Sequence, residues 1–322
     1  MEPHADKVFG DVHGNTFACL NPDMSPRIML AGHVDQIGMI VKHVAKDGKI
    51  YVEAIGGIDP VVIPGLTLVI YTADGPLLAV VGQKAIHMKT TEERGKGVTN
   101  LESIWLEAGD PKLVVKRVAV GDRVTFQLGM TELLGDYVTS AGLDDKIGVF
   151  VVMETLRRLS QQKDKLRCGV YAVSTVQEEI GLRGAKTAAD GLRPDAGIAV
   201  DVTFASDFPG ASAPKMGGVK MGKGPVITVG PNVNPTLEQL LRSTAKSKRI
   251  AHQIEASGRA TGTDANVIQT SGSGVAAALV SIPNLSMHTP GEIVSLKDVE
   301  KTIQLLTETI LQISPDTDFI PK

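Results

Sequence analysis

CGVYAVSTVQEEIGLRGAKTAADGL, residues 168–192, is the stretch on which the fold turns. Its first nine residues form a near-continuous apolar run, the pattern of a strand covered on both faces. The run leads directly into Glu178 and Glu179. GLRGAKTAADGL then reads as a short helix ending at Gly191. Strand, acidic turn and helix in that order belong to a sheet of parallel strands, whose carboxyl ends gather side chains at one edge. Two adjacent glutamates at such an edge are costly if buried unpaired, and cations remove the penalty.

Working outward, AGIAVDVT (196–203) and GVAAALVSI (274–282) are further buried strands, and RIMLA (27–31) is a short apolar run just before His33. DKIGVFVVMETLRRLSQ reads as a helix running away from Asp144. NPTLEQLLRSTAKSKR is another, with Asn234 as N-cap and Pro235 at the first helical position. Near the carboxyl terminus Ser295 and Asp298 fit a capping box, followed by one apolar stripe of Val299, Ile303, Leu306, Ile310 and Ile313. IGMIVKHV and KIYVEAIGG, joined by AKDGK, predict a hairpin. From about residue 55 to 136 short β-rich pieces alternate with Gly, Pro and Asp, the mark of a small all-β module. The expectation is an α/β domain with a mixed central sheet flanked by helices, made of residues 1–54 and 137–322, interrupted by an inserted β domain at 55–136.

Composition narrows the partners. At 322 residues the chain can bury a large core. A net charge of -3 gives no basis for nucleic acid or an anionic membrane as partner, and 4% aromatics argue against base-stacking surfaces. Cys19 and Cys168 lack zinc-thiolate spacing and read as buried, reduced thiols. MEPHADKVFGD has no apolar core of a signal peptide, and no apolar run reaches the length of a membrane span. A cytoplasmic setting is the expectation.

The candidate chemistry lies in a set of His, Asp and Glu residues that follow apolar strands or precede glycine. His33 and Asp35 are two apart, on one face if the strand persists. Asp35 could anchor the second ring nitrogen of His33. Asp144 and Asp145 follow Gly142 and open a helix, where one carboxylate can bridge two cations. Of Glu178 and Glu179, one can ligate while the other holds a water. Asp201 lies in a buried strand, and His288 stands in NLSMHTPGE before a proline turn. Nitrogen and oxygen donors without thiolates suit Zn, Co or Mn.

In AGHVDQIGMIV, IGGIDPVVIPG, SAGLDDKIGVFV, STVQEEIGLRGA, AVDVT and SMHTPGE, taken in order, the chain resembles the tetrahedral aminopeptidases, dinuclear metallopeptidases that include glutamyl and leucyl aminopeptidases and some members labelled endoglucanase. The resemblance runs from residue 8 onward. It implies that His33 and Asp201 bind one metal, Glu179 and His288 the other, and that Asp144 bridges them. Asp35 would orient His33, and Glu178 would be the general base. It also implies that the inserted module is a dimerisation domain, and that dimers assemble into a tetrahedral dodecamer. Two departures stand out. Relatives usually carry a helix of a few turns before the first strand, whereas this chain starts almost at the strand. Gln36 stands where relatives often have Glu.

The reaction expected is hydrolysis of N-terminal residues from peptide substrates, with two divalent ions acidifying a bridging water and Glu178 moving the proton. A deacylase or carboxypeptidase with the same site, and a non-catalytic assembly protein on the same fold, are the rival readings. Among other residues, His87 is a surface or interface histidine that could reach a neighbour's site. Thr263 and Asp264 in GTDAN either line the substrate pocket or cap a helix. GGVKMGKG (217–224) lacks the phosphate-loop pattern and reads as a turn-rich loop.

Overall fold

A strand apolar at every position has to be covered on both sides, and four such strands set the architecture. In the computed structural model, which describes residues 1–96, 100–127 and 129–321, Gly169–Thr175, Arg27–His33, Ala196–Phe204 and Ala276–Leu285 lie side by side in that order, all parallel. Successive residues point to opposite faces. Ile28 and Leu30 enter a core shared with the helices Leu143–Ser160, Pro235–Ser247 and Leu296–Ile310. Met29 and Ala31 pack on the other side with Ala185, Ala188 and Ala189 of the helix Arg183–Leu192.

Antiparallel strands widen the sheet on both flanks, and Val226–Val229, antiparallel to Ala276–Leu285, with its parallel neighbour Gln253–Ala256 brings the total to eleven. Thr16–Leu20 and Lys7–Gly10 lie beside Gly169–Thr175, and Glu292–Ser295, Tyr137–Ser140 and Thr131–Glu132 continue from Ala276–Leu285. The sheet is mixed, as the sequence predicts.

One glycine pair decides how closely the long helix approaches the sheet. A Cβ on Gly32 would lie 2.7 Å from both Gly148 C and Val149 N. Glycine at 32 lets the start of the Leu143–Ser160 helix rest on the end of the Arg27–His33 strand. Other helix signals divide. Asn234 caps its helix, accepting the Leu237 N–H at 2.9 Å with Pro235 in place. The Ser295–Asp298 capping box does not form. Asp298 is buried and accepts the N–H groups of Gly222 and Gly224 at 2.7 and 2.6 Å, so it closes the glycine-rich 217–224 loop.

The second unit, Ile37–Met130 with His288–Gly291, is a closed six-stranded barrel. Its strands are Gly38–Val44, Ile50–Ile55, Trp105–Glu107, Gly75–Gly82, Thr67–Thr72 and Arg123–Phe126. Met39, Ile50, Leu68, Ile70, Leu106 and Val124 fill the interior. The 38–55 hairpin, placed by sequence in the first segment, pairs Met39 with Val124 and Ile50 with Leu106. Closure explains this: without that hairpin the barrel would keep two unpaired edges. Both cysteines are free and buried, and among the described residues no helix is long and apolar enough to cross a membrane.

Candidate metal centre

His33 ends its strand, and Thr175 stands opposite it on the neighbouring one. Its Nε2 lies 3.1 Å from Asp144 Oδ1 and 3.9 Å from both Glu178 Oε2 and Asp201 Oδ1. His33, Asp144 and Asp201 are all buried. The chain reaches Asp144 through Gly142, whose φ of 69° favours a residue without a side chain. Asp144 and Asp145 keep non-helical dihedrals and are joined by a cis peptide. The Asp144 N–H donates to Glu292 Oε2 at 2.9 Å.

Asp35 acts through two different groups. Its backbone carbonyl, 3.0 Å from His33 Nδ1, selects the tautomer in which Nε2 is the acceptor. Its carboxylate stands farther from the ring, 3.7 Å from Nδ1. That carboxylate accepts the N–H groups of Glu178 and Glu179 at 3.1 and 3.2 Å. One residue thus orients the imidazole and fixes the acidic turn.

Two side chains without an assigned role in the sequence reading complete the frame. Asn15 is fully buried, accepts the Val176 N–H at 3.2 Å and donates to the Gly184 carbonyl at 3.0 Å. It ties the entry and exit of the Glu178–Glu179 turn. Asp145, also fully buried, accepts the His33 N–H at 3.1 Å and the Gly148 N–H at 3.0 Å. It clamps the helix start to the strand end. The signals were present: Asn15 closes a turn at Asp11–Asn15, and Asp145 follows Asp144, but only the fold shows what either one reaches.

Burial dominates the electrostatics. It pushes Glu178 up to about 9, helped by the charges of Asp201, Asp264 and Glu179 and opposed by His33. It pushes Asp201 up to about 8, with Asp144 adding to the shift. Asp145 is raised well above the carboxylate range for the same reason, with Asp201 adding. For His33 burial works against the charge, yet Asp144 and Asp35 hold its pKa well above the usual range. Several carboxyl groups therefore share the His33 imidazole in a poorly solvated space, with the Lys146 ammonium within electrostatic reach of Glu292, Asp35, Asp144 and Glu179, and a divalent cation would offset the remaining negative charge.

The donor geometry fits a metal. One atom each from His33, Asp144 and Glu179 lie within 4.8 Å of one another, as do atoms from His33, Asp145 and Asp201. Both Asp145 oxygens already accept backbone N–H groups, so Asp145 acts as a clamp, whereas Asp144 presents Oδ1 to His33 Nε2. Nitrogen and oxygen donors of this kind suit a divalent cation.

His288 belongs to the second unit, where its Nδ1 is 3.0 Å from the Gly57 carbonyl and its φ is 62°. His87 is exposed in the short turn Ile86–Met88. Asp264 makes no side-chain cap to its helix. It accepts the Thr175 hydroxyl at 2.6 Å, and burial pushes it up to about 6. Thr263 pairs with the Thr261 hydroxyl at 2.9 Å.

Comparison with known proteins matches this chain to the M42 glutamyl aminopeptidase model over residues 14–305. A lysyl aminopeptidase of Pyrococcus furiosus is 36% identical, across 98% of this chain and 90% of that protein. The crystal structure of a TET aminopeptidase from a marine-sediment Thaumarchaeota archaeon superposes with a TM-score of 0.92 at 31% identity, covering 98% of this chain and 89% of that one. The TET1 peptidase of Pyrococcus horikoshii, which can assemble into a tetrahedron or a large octahedral shell, superposes at 0.84 with 28% identity, covering 95% and 90%.

Proposed function

This chain belongs to the M42 glutamyl aminopeptidase family, and on that premise we propose that it removes single residues from the amino termini of peptides with Glu178 as general base. Membership makes it a metal-dependent aminopeptidase, a hydrolase of peptide bonds. The assignment of roles rests on one observation: Glu178 Oε2 lies 3.9 Å from His33 Nε2, inside the acidic cluster, on a turn that Asp35 holds by its backbone.

In this reading His33 and Asp201 would hold one divalent ion, Glu179 and His288 would hold a second, and Asp144 would serve both. His288 is included on the family pattern alone. The ions, Zn, Co or Mn, would supply positive charge that polarises the scissile carbonyl and acidifies a water between them. Glu178 accepts the proton of the attacking water and delivers it to the leaving amine. Burial favours the first transfer, because it raises the carboxylate's affinity for the proton, and the second is carried by the greater basicity of the departing amine. Asp35 keeps the His33 ring and the base in register throughout.

The assembly proposed is homo-oligomeric, dimers forming a tetrahedral dodecamer through the barrel. It is supported by the shells formed by the Pyrococcus horikoshii relative.

Substituting Glu178→Gln tests the base. Metal content, measured by mass spectrometry, is expected to stay at the wild-type level while turnover of aminoacyl-nitroanilides falls by roughly 10²–10⁴. Near-wild-type turnover with ions in place would remove Glu178 from the role. Equal hydrolysis of N-acetylated and free peptides would instead favour a deacylase or carboxypeptidase.

A further inference from the structure

The first turn of a helix disfavours a cation, because the dipole presents positive charge there. Lys146 nevertheless opens the regular part of the Leu143–Ser160 helix, directly after the non-helical Asp144 and Asp145. The residue is exposed, but its end is not left to solvent. The ammonium donates to Gln36 Oε1, and both groups close over Gly142, where a Cβ would collide with each of them. Lys146 thereby ties the segment after Asp35 to the turn that carries Asp144. Gln36 is neutral, so it fixes the place of the ammonium without cancelling its charge. The charges that act on the ammonium are those of Glu292, Asp35, Asp144 and Glu179. A cation anchored at the wrong end of its own helix is thus held among the carboxyl groups of the site.

We propose that Lys146 is a resident cation of this centre, one that offsets Asp144 and Glu179 while the second ion is absent and competes with that ion when it binds. The inference rests on the two-ion reading and adds a control of occupancy to it. Two cations set against the same carboxylates repel one another, so each weakens the other's hold. The second ion, assigned to Glu179, His288 and Asp144, would share two donors with the field of Lys146. The first, assigned to His33, Asp201 and Asp144, would share one and be affected less. The coupling is reciprocal: what Lys146 removes from the affinity of the ion reappears as stability of the ion-free protein. Lys146 takes no part in the bond-breaking step.

The test titrates zinc into chelator-stripped protein by calorimetry and follows melting with and without saturating zinc. In Lys146→Gln the weaker of the two zinc sites is expected to tighten by roughly fivefold, the scale of a partly exposed charge contact, and the tighter site to change less. Gln36→Ala keeps the charge and removes its anchor, so it should shift the weaker site the same way by a smaller factor. Lys146→Arg should bind zinc as wild type does; tightening equal to that of Lys146→Gln would overturn the inference, because charge would not be its source. The Tm of ion-free Lys146→Gln should fall further than that of the zinc-saturated variant. Equal falls in the two states with unchanged zinc affinities would make Lys146 structural and overturn the inference. Weaker zinc binding in Lys146→Gln would also overturn it, since Lys146 would then be placing the donors rather than competing for them. One zinc per chain throughout would sink the two-ion reading instead. Tightening of that single zinc in Lys146→Gln would still support the competition, and its absence would end it.

Discussion

At its amino end the Leu143–Ser160 helix carries Asp144 and Asp145, and at its carboxyl end Arg157 and Arg158. Both pairs suit the helix dipole. Their surroundings differ. Arg157 meets Glu154 at 2.6 and 2.7 Å, and Arg158 meets Glu300 at 2.8 and 2.7 Å, in a network that stays at least partly exposed. The aspartates are buried: two backbone N–H groups answer Asp145, and Asp144 stands against the His33 imidazole within electrostatic reach of Lys146. One electrostatic rule thus yields a surface network at one end and a candidate cation site at the other. Burial makes the difference, because charge without water has to be met by protein groups or by ions.

The contrast can be broken first at Asp145. Asp145→Ala leaves the N–H groups of His33 and Gly148 without an acceptor in a closed core. At about 1–3 kcal/mol for each buried group, a loss of roughly 2–6 kcal/mol is expected in urea unfolding. A loss below about 1 kcal/mol would show that the clamp is dispensable.

Removing ions is the next largest perturbation. A bound cation at a hundredfold excess over its Kd stabilises the folded state by about 2.7 kcal/mol. Chelation should therefore lower the Tm seen by calorimetry, and Asp144→Asn should reduce that response. An unchanged Tm in wild-type protein would argue that the acidic end holds no ion.

Smallest of all should be Glu154→Gln at the opposite end. The Arg157 hydrogen bond, against the effect of burial, brings Glu154 down to about 2. A depressed carboxyl stabilises the fold above its unfolded pKa and loses that contribution as pH falls through its folded one. The difference between wild type and variant should be under about 1 kcal/mol at pH 7 and should shrink in melts nearer pH 3. A difference that widened on acidification would mean the pair is wrongly assigned.

Legibility followed the range of the interactions. Buried strands were readable because apolar side chains on both faces leave a continuous run, as in 168–176 and 196–203. Glu178 and Glu179 were readable because charge directly after such a run needs a reason. Capping was readable only in part. Asn234 bonds three residues along its own chain, whereas Asp298 answers Gly222 and Gly224 across the fold. The HxD spacing pointed to contact between Asp35 and His33, but not to the carbonyl as the group that makes it. The barrel's extent was unreadable for a similar reason, since a hairpin's own sequence does not name the strands that close around it.

By itself the sequence determined which segments are strands and helices, the chemical class of the donors, and the family to which they belong. Local periodicity and residue chemistry suffice for those. Tertiary structure alone decided that Asp144 faces His33 while Asp145 turns to backbone, that Asn15 braces the glutamate turn, and that Glu255 reaches Thr203. Each of these depends on groups far apart in the chain meeting where water is scarce. There, distances of a few ångströms set the energy, and no spacing in the sequence encodes them.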